Sequence, residues 1–305
     1  MIRRMHAMAA AYPGDRVLIG ETYLPNTAEL DKWYGGKQKD ELQLPMDMLL
    51  GFSNKLDAST FRKYIDEAGT QLHGSQPLFV FDNHDNTRSM DRYGDGVHNQ
   101  QIARQLACVL LTTRATALMY YGEELGMTTS TPTRREDVKD PIGITGWPKE
   151  KGRDGERTPM QWDASNPQAG FSSNPHTWLP VPAGYTSVNV ASESKDPGSL
   201  LSWYEQLTRM RRELPALHDG GIAMLDSTNP NVLAYVRTAP AGSESIVVVL
   251  NMSPTPQTIA LSLAGQGIPT QSAKTLLTDD SSLSGTQSLT TLTLQPFDSW
   301  VGSVK

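Results

Sequence analysis

Cysteine is almost absent from this sequence, whose 305 residues include a single one, Cys108. One cysteine excludes a disulfide framework within the chain. Cys108 lies in the apolar run ACVLLTT, where a free cysteine is typically a small buried residue. We therefore expect a reducing compartment, and hence a cytoplasmic protein.

An excess of positive charge is also missing. The chain has 27 Lys and Arg residues against 33 Asp and Glu residues, which gives a formal net charge of −6. A general nucleic-acid binder would present a basic face, and no long run of lysine or arginine occurs. We therefore expect no nucleic-acid partner.

Long hydrophobic runs are the third absence. No segment approaches the roughly 18 continuous apolar residues of a transmembrane helix, so we expect no membrane span. The first residues, MIRRMHAMAAAYPGD, carry arginines, but no apolar stretch of ~7–15 residues follows them as in a signal peptide. Instead, Ile2, Met5, Met8 and Ala9 recur at helical spacing and predict an amphipathic helix.

Up to about residue 215 the sequence alternates between helix-like and strand-like segments. The strand-like segments RVLIGE, PLFVFDNHD and ATALMYYGEE are continuous apolar runs, and ELQLPMDMLL is a weaker fourth. Continuous apolar strands are typical of parallel sheets covered on both faces by helices. Helical patterns occur over residues 59–72, 98–113 and 200–214. We therefore predict an α/β domain over residues 1–215.

The three clear strands share polar endings at their carboxyl ends. These endings are Gly20-Glu21, Asn83-His84-Asp85 and Gly122-Glu123-Glu124. Ligands bind at that edge in parallel α/β folds. Two carboxyl groups in one pocket can divide their roles, because one gives a proton while the other stays ionised, as glycosidic bond cleavage needs.

Glu21 and Asp85 are the candidates for that pair of carboxyl groups. From spacing alone, a role as a helix cap or a surface-loop residue fits them equally well. Glu123 and Glu124 fit better as charges that stabilise the start of a helix.

Residues 128–190 follow neither pattern and are rich in proline, glycine, tryptophan and charged residues. A loop of this length inside a compact domain is usually either functional or disordered. Trp147, Trp162 and Trp178 argue against disorder. We therefore predict a long, ordered active-site loop.

From residue 216 onwards the sequence changes to short β-type runs. They include VLAYVRTA, SIVVVLNMS and SWVGSVK, and they are separated by glycine, serine, proline and asparagine. Such spacing predicts an antiparallel β-sandwich domain over residues 216–305.

Four segments of the sequence resemble a known family. LIGETYLP, FVFDNHDNTR, YYGEELGM and GRDGERTPMQWD, in that order, resemble the later signature segments of the α-amylase family of glycoside hydrolases. More narrowly, they resemble its α-glucosidase and oligo-1,6-glucosidase branch. The resemblance covers essentially the whole chain, and the run DPIGITGWPKEKGRDGERTPMQWD is its most specific part.

The resemblance implies a role for each matching residue. Glu21 in GET matches the general acid/base, and Asp85 in NHD matches the carboxylate that stabilises the transition state and holds the sugar. His84 matches a histidine that contacts the same sugar. Arg153 or Arg157 in GRDGERTPMQW matches a substrate-binding arginine, and Arg153 is the preferred one. The family's calcium-site segment lies upstream of these motifs, so we expect no metal, and the resemblance implies no cofactor.

The nucleophile segment of the family has no match in this sequence. The nucleophile is an aspartate in a Gly-Phe-Arg-x-Asp type motif that should precede Glu21, and an earlier Asp-x-x-x-x-Asn-His type motif is missing as well. The Gly-Phe pairs here, Gly51-Phe52 and Gly170-Phe171, both follow Glu21. We therefore expect the C-terminal half of a (β/α)8 TIM barrel, with about four of its eight strands, followed by an all-β sandwich domain.

The expected activity is hydrolysis of short α-glucosides, such as maltose-, isomaltose- or sucrose-like disaccharides, with retention of configuration. The chain alone should be inactive, because a retaining enzyme needs a second carboxylate ~5–5.5 Å from the acid/base. Open strand edges also predict self-association or pairing with the missing N-terminal half.

A non-catalytic carbohydrate-binding or interaction protein derived from this fold is the alternative. The sequence leaves two properties of an active enzyme open: the choice between α-1,4 and α-1,6 linkages, and the choice between hydrolysis and transglycosylation.

Overall fold

Four parallel strands form the first sheet of the protein. Its structure is a computed structural model that describes residues 1–225 and 228–305. The strands are β1 (Ile19–Gly20), β2 (Leu44–Asp47), β3 (Leu78–Val80) and β4 (Thr116–Leu118). They lie in the order β1-β2-β3-β4, so every strand pairs with its neighbour in the chain. This is the arrangement of strands in a (β/α) barrel, and the predicted parallel sheet is confirmed.

Helices connect the strands and follow them along the chain. In chain order they are α1 (Ile2–Ala10), α2 (Thr27–Tyr34), α3 (Met48–Gly51), α4 (Ala58–Gln71), α5 (Ser89–Tyr93), α6 (Asn99–Thr112), α7 (Pro141–Gly146), α8 (Val190–Glu193), α9 (Leu200–Glu213) and α10 (Pro215–His218). Local capping sets where several of them begin: the Asp57 side chain, for example, accepts a hydrogen bond from the Thr60 amide at the start of α4. The helical patterns over residues 59–72, 98–113 and 200–214 correspond to α4, α6 and α9.

Burial differs between the inner and outer strands of this sheet. All three residues of β3 are buried, as expected for a strand covered on both faces. The edge strands differ from that expectation, because β4 is half-buried and Ile19 in β1 is 54% exposed. Each edge strand pairs with one neighbour only, so its apolar side chains are covered less well. Helix α1 forms where predicted, but no residue in it is buried.

Antiparallel strands make up the rest of the β structure. They are β5 (Gly221–Leu225), β6 (Val232–Thr238), β7 (Ser245–Asn251), β8 (Gln257–Ile259), β9 (Ser272–Thr278), β10 (Thr286–Ser288), β11 (Leu292–Leu294) and β12 (Ser299–Val304). Six form one sheet in the order β10-β9-β12-β7-β6-β5, and β11 pairs with β8 in a second sheet. The predicted C-terminal all-β domain is confirmed.

The interior of this β domain explains its most apolar segments. Every residue of β7, SIVVVLN, is buried, as is every residue of β12. Trp300 is fully buried at the centre, and its indole N–H donates to Thr275 Oγ1 at 2.9 Å. A buried indole needs such a partner, because an unpaired polar group in an apolar interior is costly.

The described residues divide into two compact units. The first combines Met1–Val80, Gln105–Leu118 and Leu207–Lys305, and so contains both the parallel and the antiparallel sheets. The second combines Phe81–Arg104 and Met119–Gln206. It holds the whole of the predicted long loop, residues 128–190, and has a small core of its own in which Leu125, Met127 and Met160 are buried together. The division of the chain at residue 215 stays a prediction.

A buried arginine joins the antiparallel sheet of the first unit to helix α6. Arg237 in β6 is fully buried, and its Nη1 donates to the carbonyl oxygens of Thr112 and Thr113, both at 2.7 Å, at the end of α6. Its Nη2 and Nε donate to the carbonyl oxygens of Gly220 and Gly221 at 2.9 and 3.1 Å. A cation at a helix C-terminus satisfies carbonyl groups that lack helical partners.

Candidate active site

The segment after β3 is shaped by one asparagine. Asn83 Oδ1 accepts hydrogen bonds at 2.9 Å from the backbone amides of Asp85 and Asn86. Asparagine side chains stabilise tight turns in this way. The turn places His84 and Asp85 at partly solvent-accessible positions directly beyond the end of the buried strand.

Two arginines converge on the Asp85 carboxylate. Arg153 Nη1 and Arg157 Nη2 donate to Asp85 Oδ1 at 2.7 and 2.8 Å, and His84 Nε2 lies 3.5 Å from the same oxygen. Arg157 Nε also donates to the His84 carbonyl oxygen at 2.9 Å. Charge-assisted hydrogen bonds of this kind fix the orientation of a carboxylate. Four residues singled out in the sequence, His84, Asp85, Arg153 and Arg157, are thus brought together.

Arg153 is held in place by a second carboxylate, that of Asp140. Arg153 Nε and Nη2 donate to the two Asp140 carboxylate oxygens at 2.8 and 3.2 Å, and the Arg153 backbone amide donates to Oδ2 at 2.8 Å. Asp140 also caps the start of α7 through the Ile142 amide. Its hydrogen bonds from Arg153 hold the pKa of the buried Asp140 carboxyl well below its usual value.

Asp140 was missed by the sequence analysis. The only signal for it was the pair Asp140-Pro141, which suits a helix start, with aspartate at the cap and proline in the first turn. A capping role does not predict an arginine partner 13 residues further along the chain.

A second group of acidic side chains lies deeper in the same unit. Asp82 is buried, and it accepts hydrogen bonds from the Ser89 amide at 2.5 Å and the Ser89 hydroxyl at 3.1 Å. Glu123 is buried as well, and it accepts from the Tyr204 hydroxyl at 3.1 Å. Burial raises the pKa of both carboxyls, and the charge of Asp82 adds to the rise at Glu123.

Glu123 lies at a helix start, as expected, but its side chain makes no capping hydrogen bond there. It begins a short 3-10 helix, Glu123–Leu125, and its carboxylate accepts from the Tyr120 backbone amide at 3.2 Å. Sequence reasoning did not single out Asp82, since nothing in FVFDNHD distinguishes a buried aspartate from an exposed one.

Arg88 connects the segments that carry these two groups. It is fully buried, and it donates to the carbonyl oxygens of Tyr121 at 2.8 Å and Glu156 at 3.0 Å. Its guanidinium also lies 5.0 Å from the ring centres of both Tyr120 and Tyr121. Arg88 thereby fixes the loop of Arg153 and Arg157 to the segment that carries Glu123.

Glu21 lies in the first compact unit, directly after β1. Its side chain is exposed and accepts a hydrogen bond from the Tyr23 hydroxyl at 3.1 Å. The neighbouring Thr22 is buried, and its hydroxyl donates to the Met46 carbonyl oxygen at 2.7 Å, which anchors the strand end. That Glu21 and Asp85 act in one pocket stays a prediction.

The described residues, 1–225 and 228–305, contain neither a cluster of metal-ligating side chains nor a membrane-spanning helix. No group of three or more His, Cys, Asp or Glu side chains in these ranges is arranged to hold a metal ion. No helix in the same ranges has both the length and the apolar character needed to cross a membrane.

Comparison with known proteins identifies the family. The family described as "Alpha amylase, catalytic domain" matches residues 1–220. The chain belongs to the α-amylase family. A second family, "Maltogenic Amylase, C-terminal domain", matches residues 222–301.

Relatives within the α-amylase family include several α-glucosidases. The chain is 30% identical to an oligo-1,6-glucosidase of Bacillus cereus over 78% of its own length and 47% of that enzyme. It is 39% identical to a probable alpha-glucosidase of Rhizobium meliloti over 57% of its length and 31% of that protein. The chain therefore spans about half or less of the length of these relatives.

Solved structures of α-amylase family enzymes have the same fold. The trehalulose synthase MutB from Pseudomonas mesoacidophila MX-45 superposes with a TM-score of 0.81 at 28% identity, covering 100% of this chain and 58% of that one. An isomaltulose synthase of Erwinia rhapontici NX5, solved with its natural substrate sucrose, gives a TM-score of 0.80 at 26% identity and the same coverage. The parallel sheet is thus part of a TIM barrel, and a β domain follows it, as predicted.

Proposed function

We propose that this chain carries the acid/base and the transition-state stabiliser of a retaining α-glucosidase that acts on short α-glucosides. The cluster around Asp85 carries this proposal, because two arginines and a histidine orient one carboxylate at the end of a barrel strand. Asp85 Oδ2, which receives none of these three contacts, is free to accept hydrogen bonds from sugar hydroxyls. His84 and Arg157 supply donors for the same sugar.

In this mechanism Glu21 protonates the glycosidic oxygen, and the bond from that oxygen to the anomeric carbon breaks. Positive charge develops on the sugar, and the Asp85 carboxylate stabilises it. A nucleophilic carboxylate then bonds to the anomeric carbon, and water activated by Glu21 later releases the sugar. We propose that the nucleophile comes from a Gly-Phe-Arg-x-Asp segment that is not among these 305 residues.

Complementation tests this function. Hydrolysis of 4-nitrophenyl α-glucoside would be measured with the chain alone and with a separately expressed N-terminal barrel segment that carries the nucleophile motif. We expect turnover only in the mixture, and we expect Glu21→Gln to reduce it by about 10²–10⁴-fold, the usual contribution of a general acid/base. Glu213→Gln, at an exposed glutamate, is the matched control and should retain the activity.

The non-catalytic carbohydrate-binding protein remains the second candidate, because the sequence lacks the nucleophile motif. Binding of an α-glucoside without turnover in any mixture would favour it. Turnover by the chain alone would refute the argument from the missing nucleophile. For the cellular location we propose the cytoplasm, which the single buried cysteine supports.

A further inference from the structure

Asp140 lies at the start of helix α7, and its carboxylate is buried, with 2% of the residue exposed. Its Oδ1 accepts a hydrogen bond from the Ile142 amide at 3.2 Å, and its Oδ2 accepts from the Arg153 amide at 2.8 Å. The Arg153 guanidinium bonds to both oxygens, through Nε at 2.8 Å and Nη2 at 3.2 Å. A pair of hydrogen bonds of this kind fixes the plane of the guanidinium as well as its position.

The backbone on both sides of this carboxylate is itself fixed. The buried Asp154 side chain accepts from the Lys139 amide at 2.6 Å and from the Asp140 amide at 3.0 Å. Gly152 has a φ of +73°, and a Cβ at this position would lie 2.9 Å from the Asp140 Cβ. Glycine therefore allows the chain to pass close to Asp140. The carboxylate is thus held in place before Arg153 binds to it.

Arg153 has one nitrogen left for the candidate sugar site. Its Nη1 donates to Asp85 Oδ1 at 2.7 Å, while Nε and Nη2 are occupied by Asp140. The Arg153 side chain is 35% exposed, so packing alone restrains it weakly. An arginine side chain has many rotamers, and holding one of them costs conformational entropy. The pair with Asp140 selects the rotamer in which Nη1 reaches Asp85.

We propose that Asp140 is a positioning residue of the candidate sugar site. Without contacting the sugar, it sets the affinity for α-glucosides by keeping Arg153 directed at Asp85. This inference rests on the proposed function, because the sugar is taken to bind at Asp85. The positioning role is distinct from the capping of α7, since the cap uses the Ile142 amide and the pair uses the Arg153 side chain.

Asparagine at position 140 separates the two roles. Its amide oxygen still caps α7, because asparagine is among the preferred capping residues. It lacks the negative charge and the second acceptor oxygen that Arg153 needs. We therefore expect Asp140→Asn to weaken the binding of methyl α-glucoside about tenfold, which corresponds to the loss of one charge-assisted hydrogen bond. Arg157 still holds Asp85, so binding is not abolished.

Calorimetric titration of the full chain measures this affinity, and Asp137→Asn is the matched control. Asp137 lies in the same loop and also bonds to an arginine through both oxygens, with Arg134 Nε at 2.8 Å and Nη2 at 2.9 Å. That pair is exposed and does not include Asp85. Asp137→Asn should therefore keep the affinity of the unaltered chain.

Two further measurements distinguish positioning from a merely structural role. If Asp140 acts through Arg153, the double variant Asp140→Asn/Arg153→Gln should bind the glucoside as weakly as Arg153→Gln alone. The NMR signal of the Arg153 Nε–H group, assigned by its loss in Arg153→Gln, reports on the pair directly. It should be present in the unaltered chain and in Asp137→Asn, and it should disappear through exchange with water in Asp140→Asn.

The outcomes separate this inference from the function on which it rests. An unchanged affinity in Asp140→Asn, a persistent Arg153 Nε–H signal in that variant, or a double variant that binds more weakly than Arg153→Gln would overturn the positioning role and leave glucoside binding intact. Failure of the unaltered chain to bind methyl α-glucoside would refute the proposed function, and the inference with it. Circular dichroism verifies folding. If Asp140→Asn does not fold, the double variant, in which both charges of the pair are removed, still gives the comparison with Arg153→Gln.

Discussion

Two groups of acidic side chains in the second compact unit are treated in opposite ways. Asp85 and Asp140 are paired with arginines, and the pKa of Asp140 is held well below its usual value. Asp82 and Glu123 are buried among hydroxyl and amide donors, with Arg92 Nη2 3.5 Å from Asp82 Oδ1, and burial raises the pKa of both carboxyls. Close pairing with an arginine therefore outweighs burial at Asp140, whereas burial dominates at Asp82 and Glu123.

Asp82 and Asp85 lie in these two different environments, although they are close together in the chain. They are three residues apart in FVFDNHD, yet Asp82 faces the interior, while the Asp85 side chain is 26% exposed. The turn formed by Asn83 separates them. Local backbone geometry, rather than residue type, therefore decides which carboxylate is available for chemistry.

Replacing Arg88 should have the largest effect on stability, because this residue connects the segments that carry the two groups. Arg88→Leu leaves the carbonyl oxygens of Tyr121 and Glu156 without their donor in a buried site. We expect a loss of about 3 kcal/mol in the free energy of unfolding, as each unpaired buried acceptor costs roughly 1–3 kcal/mol. Urea denaturation measures it, with Arg134→Leu, an exposed arginine, as the control. A loss under about 1 kcal/mol would mean that Arg88 does not hold the two groups together.

Removing the charge of Asp85 should change ligand binding rather than stability. We expect Asp85→Asn to weaken the binding of methyl α-glucoside about 30-fold, because hydrogen bonds to an ionised group contribute roughly 1.5–3 kcal/mol. Stability should change little, since the carboxylate is partly exposed to solvent. Calorimetric titration gives the affinity, and Asp163→Asn, at a partly exposed aspartate whose carboxylate accepts from Ser165, is the comparison. Equal affinities of the two variants for methyl α-glucoside would show that Asp85 does not contact the sugar.

Replacing Glu123 should have the smallest effect on stability. The pH dependence of its contribution should be opposite to that of Asp140. Because the folded pKa of Glu123 is raised above 4.5, its contribution to stability is fully present below that pH and is lost as the pH rises. Glu123→Gln, which stays neutral and can still accept from Tyr204, should therefore gain about 1 kcal/mol relative to the unaltered chain at alkaline pH.

Urea denaturation between pH 4 and pH 9 measures the difference in stability between Glu123→Gln and the unaltered chain. Asp140, whose pKa is lowered, behaves in the reverse sense, because its contribution is lost as the pH falls below 3.8. A stability difference between Glu123→Gln and the unaltered chain that is independent of pH would show that the pKa of Glu123 is the same in the folded and unfolded states.

The sequence was sufficient for those features that depend on local patterns. The apolar runs predicted the parallel strands, helical periodicity predicted α4, α6 and α9, and short β-type runs predicted the C-terminal β domain. The strands β5 and β10 were not predicted, because GIAML begins at a glycine and TQS is polar. Both lie at the edges of the six-stranded sheet, where pairing with a neighbour substitutes for apolar character.

The candidate site was only partly accessible to sequence reasoning. His84, Asp85 and the two arginines stand out in their motifs, but their contacts join residues 68 and 72 positions apart. The partner of Arg153, the state of Asp82 and the position of Arg88 all depend on how the long loop folds back. Local propensity does not encode such packing.

The contacts of Arg237 have a consequence for how the protein can be divided. The guanidinium closes the carboxyl end of α6 and the end of α10 at the same time as it occupies the β domain. Cutting the chain just before Gly220 would separate Arg237 from the Thr112 and Thr113 carbonyl oxygens, so its buried Nη1 would lose both acceptors. The end of α6 and the β domain therefore depend on each other for the pairing of buried polar groups.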